Sequence, residues 1–152
     1  MNRLDNQEKI DIEKLISSGA SVQFHPDGWS MYPLFTNGRD EAIVSPVEDE
    51  TKLKRGAVVL YRRDSGILVL HRIQKKKGEG FYMVGDNQWV IEGPLKREQI
   101  KGIMTGFVRK GKKVSADNLV YIIYWNIMLI FRPIHPLVTK LLAPFRSRVS
   151  DL

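Results

Sequence analysis

Apolar and polar positions along this chain fall into three regimes. Between Ile10 and Ile16 the apolar residues Ile10, Ile12, Leu15 and Ile16 recur at helical spacing, with Asp5 available as a cap and Gly19 as a stop. This predicts an N-terminal helix ending at Ser18. From residue 20 onward the texture changes to short β-rich runs: SVQF, EAIVSP, AVVLYR, ILVLHRI, GFYMVG and IKGIMTGFV. Turn residues separate them. Asp64-Ser65-Gly66, Lys77-Gly78-Glu79-Gly80 and Lys110-Gly111-Lys112 supply side chains that bond their own backbone or tolerate positive φ. The third regime begins near Ser115, where the run Leu119 to Phe131 is apolar apart from Asn126. The expected organisation is a helix over 1–19, a β domain over 20–114 and an apolar, basic tail over 115–152.

The thirteen residues of that run fall short of the roughly 20 needed to cross a bilayer. Arg132-Pro133 and His135-Pro136 should break the tail into two short helical pieces, because proline disfavours helix in the residue before it. The second piece, Leu137 to Phe145, is followed by Arg146 and Arg148. Two readings of the tail stand side by side: a segment lying in a membrane interface, its rings buried and its cations on lipid phosphates, or a pair of helices covering the β core. The charged first eighteen residues carry no export or anchor signal.

The length of 152 residues and 43% hydrophobic content suit one domain with a core. The absence of cysteine excludes disulfides and thiolate metal sites, and nothing in the sequence calls for a metal or an organic cofactor. A formal net charge of +7 favours an acidic surface such as anionic lipid or nucleic acid. Nucleic acid is the weaker option, since nineteen residues before the first strand are too few for a helix-turn-helix.

Candidate chemistry lies in three segments. Ser30 sits in D-G-W-S-M-Y-P, where glycine and proline suggest a bend; most such serines serve turns. A serine hydroxyl becomes a useful nucleophile when a neighbouring base removes its proton. Period-two alternation in I-L-V-L-H-R-I puts His71 on the face of Ile67, Val69 and Ile73, with Leu68, Leu70 and Arg72 opposite. His71 is therefore either a buried, satisfied imidazole or a neutral base, with an ordinary pKa of about 6.5. In V-G-D-N-Q, Asp86 is either an Asx-turn residue or the carboxylate that orients His71. His25 and His135 lie beside prolines, and Lys75 to Lys77 read as a solvated hairpin.

Taken in order, G-W-S-M-Y-P (Gly28 to Pro33), L-H-R-I (Leu70 to Ile73), G-D-N (Gly85 to Asn87) and I-K-G (Ile100 to Gly102) resemble the successive boxes of type I signal peptidases. The resemblance spans about residues 20 to 110. It implies a mainly β, coiled, barrel-like catalytic domain flanked by the N-terminal helix and the apolar helical tail, a fold shared with the self-cleaving domains of SOS-type repressors. It also implies Ser30 as nucleophile, His71 as general base in the manner of the endoplasmic-reticulum branch, and Asp86 as the third member. Met31 would floor a groove into which an extended peptide adds as a strand, with small residues such as alanine in its pockets. The Ser30 N–H is the natural oxyanion donor. Gly28 leaves that donor set short of the hydroxyl that many bacterial members carry, and Trp29 either narrows the cleft or meets lipid. The expected function is a membrane-associated serine endopeptidase cleaving leader or signal-like peptides; the alternatives are a self-cleaving repressor-like regulator and a non-catalytic peptide-binding module.

Overall fold

The computed structural model describes residues 11–132. Asp5, the second tail piece, His135, Arg146 and Arg148 lie outside that range. The first helix, α1, runs Ile12–Ser17 and is capped by Asp11, whose carboxylate accepts from Lys14 N at 3.1 Å. Ile16 is its one fully buried residue; Ile12 packs beside it on the first cluster, and Glu13 pairs with Arg62 and Lys101.

Eight strands follow: β1 Val22–Phe24, β2 Asp40–Ser45, β3 Val58–Arg62, β4 Leu68–Lys77, β5 Gly80–Val84, β6 Glu92–Leu95, β7 Ile100–Arg109 and β8 Lys112–Ser115. The first five and β7 coincide with the predicted β-rich runs, and the three predicted turns join β3 to β4, β4 to β5 and β7 to β8. The sheet is antiparallel throughout, in the order β1-β2-β7-β3-β4-β5-β6. β7 carries β2 along one edge; β3 and β8 share the other.

This architecture corrects the expected mainly β, barrel-like fold. The sheet is open and uncurled, and with its helices the molecule is a mixed α/β structure. Two physical reasons stand out. The terminal strands β1 and β6 are three and four residues long, and Pro94 in β6 has no N–H to offer a further strand. In addition, the sheet buries apolar side chains on both faces, whereas a barrel encloses one interior. Val58, Leu60, Leu70, Met104 and Phe107 pack with Ile16, Met31, Phe35 and Tyr121 on one face. Val59, Tyr61, Ile73, Met83 and Ile103 pack with Leu53, Phe81 and Leu95 on the other. The alternation along β4 holds: Leu68 and Leu70 belong to the first cluster, Val69 and Ile73 to the second.

The second helix, α2, spans Leu119–Phe131 and begins at Asn118, whose side chain accepts from Val120 N and Tyr121 N. Tyr121 and Leu129 are buried, Tyr121 within the first cluster, and Tyr124 and Trp125 pack beside that cluster. Among the described residues, no helix is long and apolar enough to cross a membrane. The seat of α2 depends on Gly56, where φ is +96° and a Cβ would lie 2.5 Å from the Trp125 ring. Gly56→Ala should therefore cost about 2 kcal/mol, from left-handed backbone strain and steric contact together. Urea unfolding followed through tryptophan fluorescence measures this; an unchanged midpoint would contradict the packing of Trp125 on Gly56.

Candidate active site

Ser30 follows β1 in a compact turn. Tyr32 N donates to Trp29 O at 3.2 Å and Phe35 N to Met31 O at 2.9 Å, while buried Met31, Leu34 and Phe35 anchor the segment in the first cluster. Gly28 sits at φ +83°, the left-handed bend that leads into Trp29. Trp29 is 58% exposed, its ring 5.9 Å from that of Tyr32. Met31, expected to floor a groove, is a core residue at 3% exposure. Among the described residues, no hydrogen bond uses the Ser30 N–H.

A second segment docks directly on this turn. Asn87 N donates to Ser30 O at 2.8 Å, and Asn87 Nδ2 donates to Trp29 O at 3.2 Å. Gly85 allows the approach, because a Cβ there would come within 2.5 Å of Ser30 O. β5 pairs with β4 through Val84 and Arg72, so its exit at Gly85 falls on the His71 side of that pair. The two turns and the strand carrying His71 thus meet at one edge. No hydrogen bond joins the Ser30 hydroxyl to His71 among the described residues.

His71 is 1% exposed. Its Nδ1 lies 3.1 Å from the Tyr61 hydroxyl and 3.7 Å from Glu92 Oε1. Tyr61 OH donates to Glu92 Oε2 at 2.8 Å, and Arg63 holds the same carboxylate through Nε at 2.8 Å and through its terminal nitrogen. Burial pushes His71 down to about 4, against the pull of Glu92 and Asp86 and with the help of Arg63 and Arg132. The imidazole is neutral well below the pH expected from its ordinary value. Burial would raise Glu92, but the bonds from Arg63 and Tyr61 hold it below the usual carboxylate range.

Asp86 is engaged elsewhere. Its two oxygens receive Arg72 Nε and Arg72 NH2 at 2.7 Å each, and Tyr124 OH approaches Oδ2 at 3.3 Å. Arg72 also donates to Gly56 O at 2.7 Å and to Tyr121 OH at 3.1 Å. Asp86 thus serves the arginine next to His71 in sequence and on the opposite face of β4, and no hydrogen bond joins it to the imidazole among the described residues. The groups that meet His71 are Tyr61 and Glu92, which the sequence analysis did not single out. Tyr61 lies two residues from Val59, the pairing partner of His71, on the same face of a hairpin that the sequence does predict. Glu92 gave no such signal, because Pro94 masks β6 as a strand.

His25 is engaged by β2, with Nδ1 3.0 Å from Asp40 O and Nε2 3.2 Å from Glu41 Oε1. Beyond Ser30, a cavity of about 300 Å³ opens between Tyr32 and Pro33, Asn87 and Trp89, and Met128 and Phe131 of α2. Arg132 closes one side by donating to Gln88 O at 2.5 Å. Among the described residues, no cluster of histidine and acidic side chains could hold a metal ion.

The sequence matches no protein-family model, and no curated protein matches it significantly.

The depressed pKa of His71 has a sign that can be checked. The unfolded chain takes up this proton near pH 6.5 and the folded chain only near 4. The neutral imidazole's contribution to stability is therefore complete above about pH 6.5 and is lost as pH falls towards 4, by roughly 3 kcal/mol in all. Denaturant unfolding at about pH 7 and about pH 4.5 should show wild type losing more stability than His71→Gln. Equal losses in the two proteins would mean that His71 titrates near its ordinary value.

Proposed function

We propose that this protein is a serine endopeptidase of the signal-peptidase type, acting on leader or signal-like peptides. The observation that carries the reading is the docking of the Ser30 turn on the Gly85–Asn87 turn beside the strand of His71. Three short motifs, each weak singly, are thereby neighbours in space. Ser30 Oγ attacks the peptide carbonyl, His71 takes the hydroxyl proton and returns it to the leaving amine, and water then releases the acyl group. The Ser30 N–H, which has no partner among the described residues, is the oxyanion donor. The buried imidazole is neutral over a wide pH range and does not have to lose a proton first, at the cost of being a weaker base than an ordinary histidine.

Labelling with a fluorophosphonate tests this directly. Wild-type protein should be labelled, Ser30→Ala should not, and His71→Ala should react about 100-fold more slowly or worse. The low pKa of His71 moves the acid limb of the labelling profile towards pH 4, away from the pH 6 to 7 of an ordinary histidine. Unlabelled wild-type protein, or labelling indifferent to His71, would sink the proposal and leave the non-catalytic peptide-binding module.

The site of action in this reading is a membrane surface. Trp29, Tyr32, Trp89, Val90 and Ile91 are exposed around the turn, and Ile123, Ile127, Ile130 and Phe131 are exposed along α2. The cavity lined by Tyr32, Trp89 and Phe131 makes the two patches continuous. An apolar face on a chain of net charge +7 suits an anionic interface, to which the basic tail would add. The protein should float with anionic vesicles, and Ile127→Glu combined with Ile130→Glu should reduce the bound fraction severalfold. Failure of the wild type to float would remove the membrane from the proposal.

A further inference from the structure

The geometry points to Tyr61 and Glu92 as positioning residues that hold His71 in its Nδ1–H tautomer and leave Nε2 as the basic nitrogen. The inference rests on proton counting. A phenol carries one proton, an ionised carboxylate none, and a neutral imidazole one, on either nitrogen. Glu92 is ionised in its fork with Arg63, so its oxygens only accept. The Tyr61 hydroxyl, 2.8 Å from Glu92 Oε2, therefore gives its proton to Glu92. Its oxygen, 3.1 Å from His71 Nδ1, is left to accept, and Nδ1 must carry the imidazole proton. Nε2 then holds the lone pair. It makes no hydrogen bond to any described residue.

Two further observations agree with this chain. Burial and the bond to Glu92 raise Tyr61 well above its ordinary value, so the phenol keeps the proton that it donates. Arg63 holds both oxygens of Glu92, which keeps the carboxylate ionised and able only to accept from Tyr61. The direction of the relay runs Nδ1–H to phenol oxygen, and phenol O–H to carboxylate. Were Glu92 removed, Tyr61 could turn its proton towards Nδ1, and the imidazole proton would move to Nε2, blocking the base. The relay bears on catalysis only through the peptidase reading proposed above, but the tautomer itself is a property of the folded protein.

The test is long-range proton–nitrogen NMR of histidine-labelled full-length protein at about pH 7, with His71 assigned by its absence in His71→Gln. The wild type should show Nδ1 protonated and Nε2 bare. In Glu92→Ala the proton should appear on Nε2, and fluorophosphonate labelling should fall about 100-fold, the penalty of a base held in the wrong tautomer. Tyr61→Phe, which removes the acceptor and keeps the ring volume, should abolish the Nδ1–H preference. Ser30→Ala should end labelling without altering the tautomer. Wild-type His71 protonated on Nε2, or an unchanged Nδ1–H signal in a folded Glu92→Ala protein, would overturn the assignment. Wild type that shows Nδ1–H and yet is never labelled would uphold the tautomer and overturn the peptidase reading alone.

Discussion

A charge with no access to water governs how this molecule is assembled. Arg72 has 0% of its surface exposed, and a guanidinium so placed is tolerable only with a counter-charge and a full set of acceptors. Asp86 supplies the first in a two-bond fork, and the Gly56 carbonyl and the Tyr121 hydroxyl extend the second. These partners come from the exit of β5, the loop before β3 and the inner side of α2. The arginine is thus tied to three separate parts of the chain at once. Because Asp86 cannot move without stranding that charge, the next residue is fixed too, and Asn87 presents its N–H to Ser30 O. The bend that carries the half-buried Ser30 is held by a buried ion pair on the far side of its neighbouring turn.

Adjacent positions on β4 divide two electrostatic tasks between the faces of the sheet. On one face Arg72 and Asp86 form a closed pair, with Tyr124 against the carboxylate. On the other, His71, Tyr61, Glu92 and Arg63 form a line that ends at the partly exposed edge of β6. The strand backbone between them keeps Asp86 from hydrogen bonding to the imidazole while its charge still acts on it through space. This separation lets the neutral histidine and the charged arginine coexist one residue apart.

Much of this was legible in the sequence, for reasons that can be named. Alternation along I-L-V-L-H-R-I placed His71 with Val69 and Ile73, because period two is a strong constraint where both faces are buried. The glycine-bearing turns, two of them read as hairpin loops, located the connections β3–β4, β4–β5 and β7–β8. The same alternation put Arg72 alone among apolar neighbours, which was the available clue that a buried acid would be needed; Asp86, just past the strand that pairs with β4, was within reach. Assigning Asp86 to His71 overlooked that competing demand. The openness of the sheet was not legible, since strand-forming runs carry no information about whether the first and last strands meet. Glu92 was hidden for a related reason: Pro94 argues against a strand except at a sheet edge, and only the assembled order reveals that β6 is the edge. Resemblance in the short boxes located the turns that meet, but it carried over a closed fold in place of this open sheet, and it did not foresee that Asp86 is bound by Arg72.

The position of β7 bears on how the chain reaches its native state. Its hydrogen bonds join β1 and β2 to the meander β3-β4-β5-β6, which is otherwise a separate unit. The meander can form from contacts between neighbours in sequence, whereas β2 must wait for a partner some sixty residues later, Ala42 for Phe107 and Val44 for Met104. During synthesis the segment bearing Ser30 emerges before the meander it packs on, and the β1–β2 pair stays unjoined to that meander until residues 100–109 are available. Its apolar anchors, Met31, Leu34 and Phe35, wait for Val58, Leu60 and Leu70 of the meander and then for Met104 and Phe107 of β7. The last long strand to be made acts as the clasp, and a nascent chain short of it holds Ser30, His71 and Asp86 but lacks the strand that joins β2 to the meander.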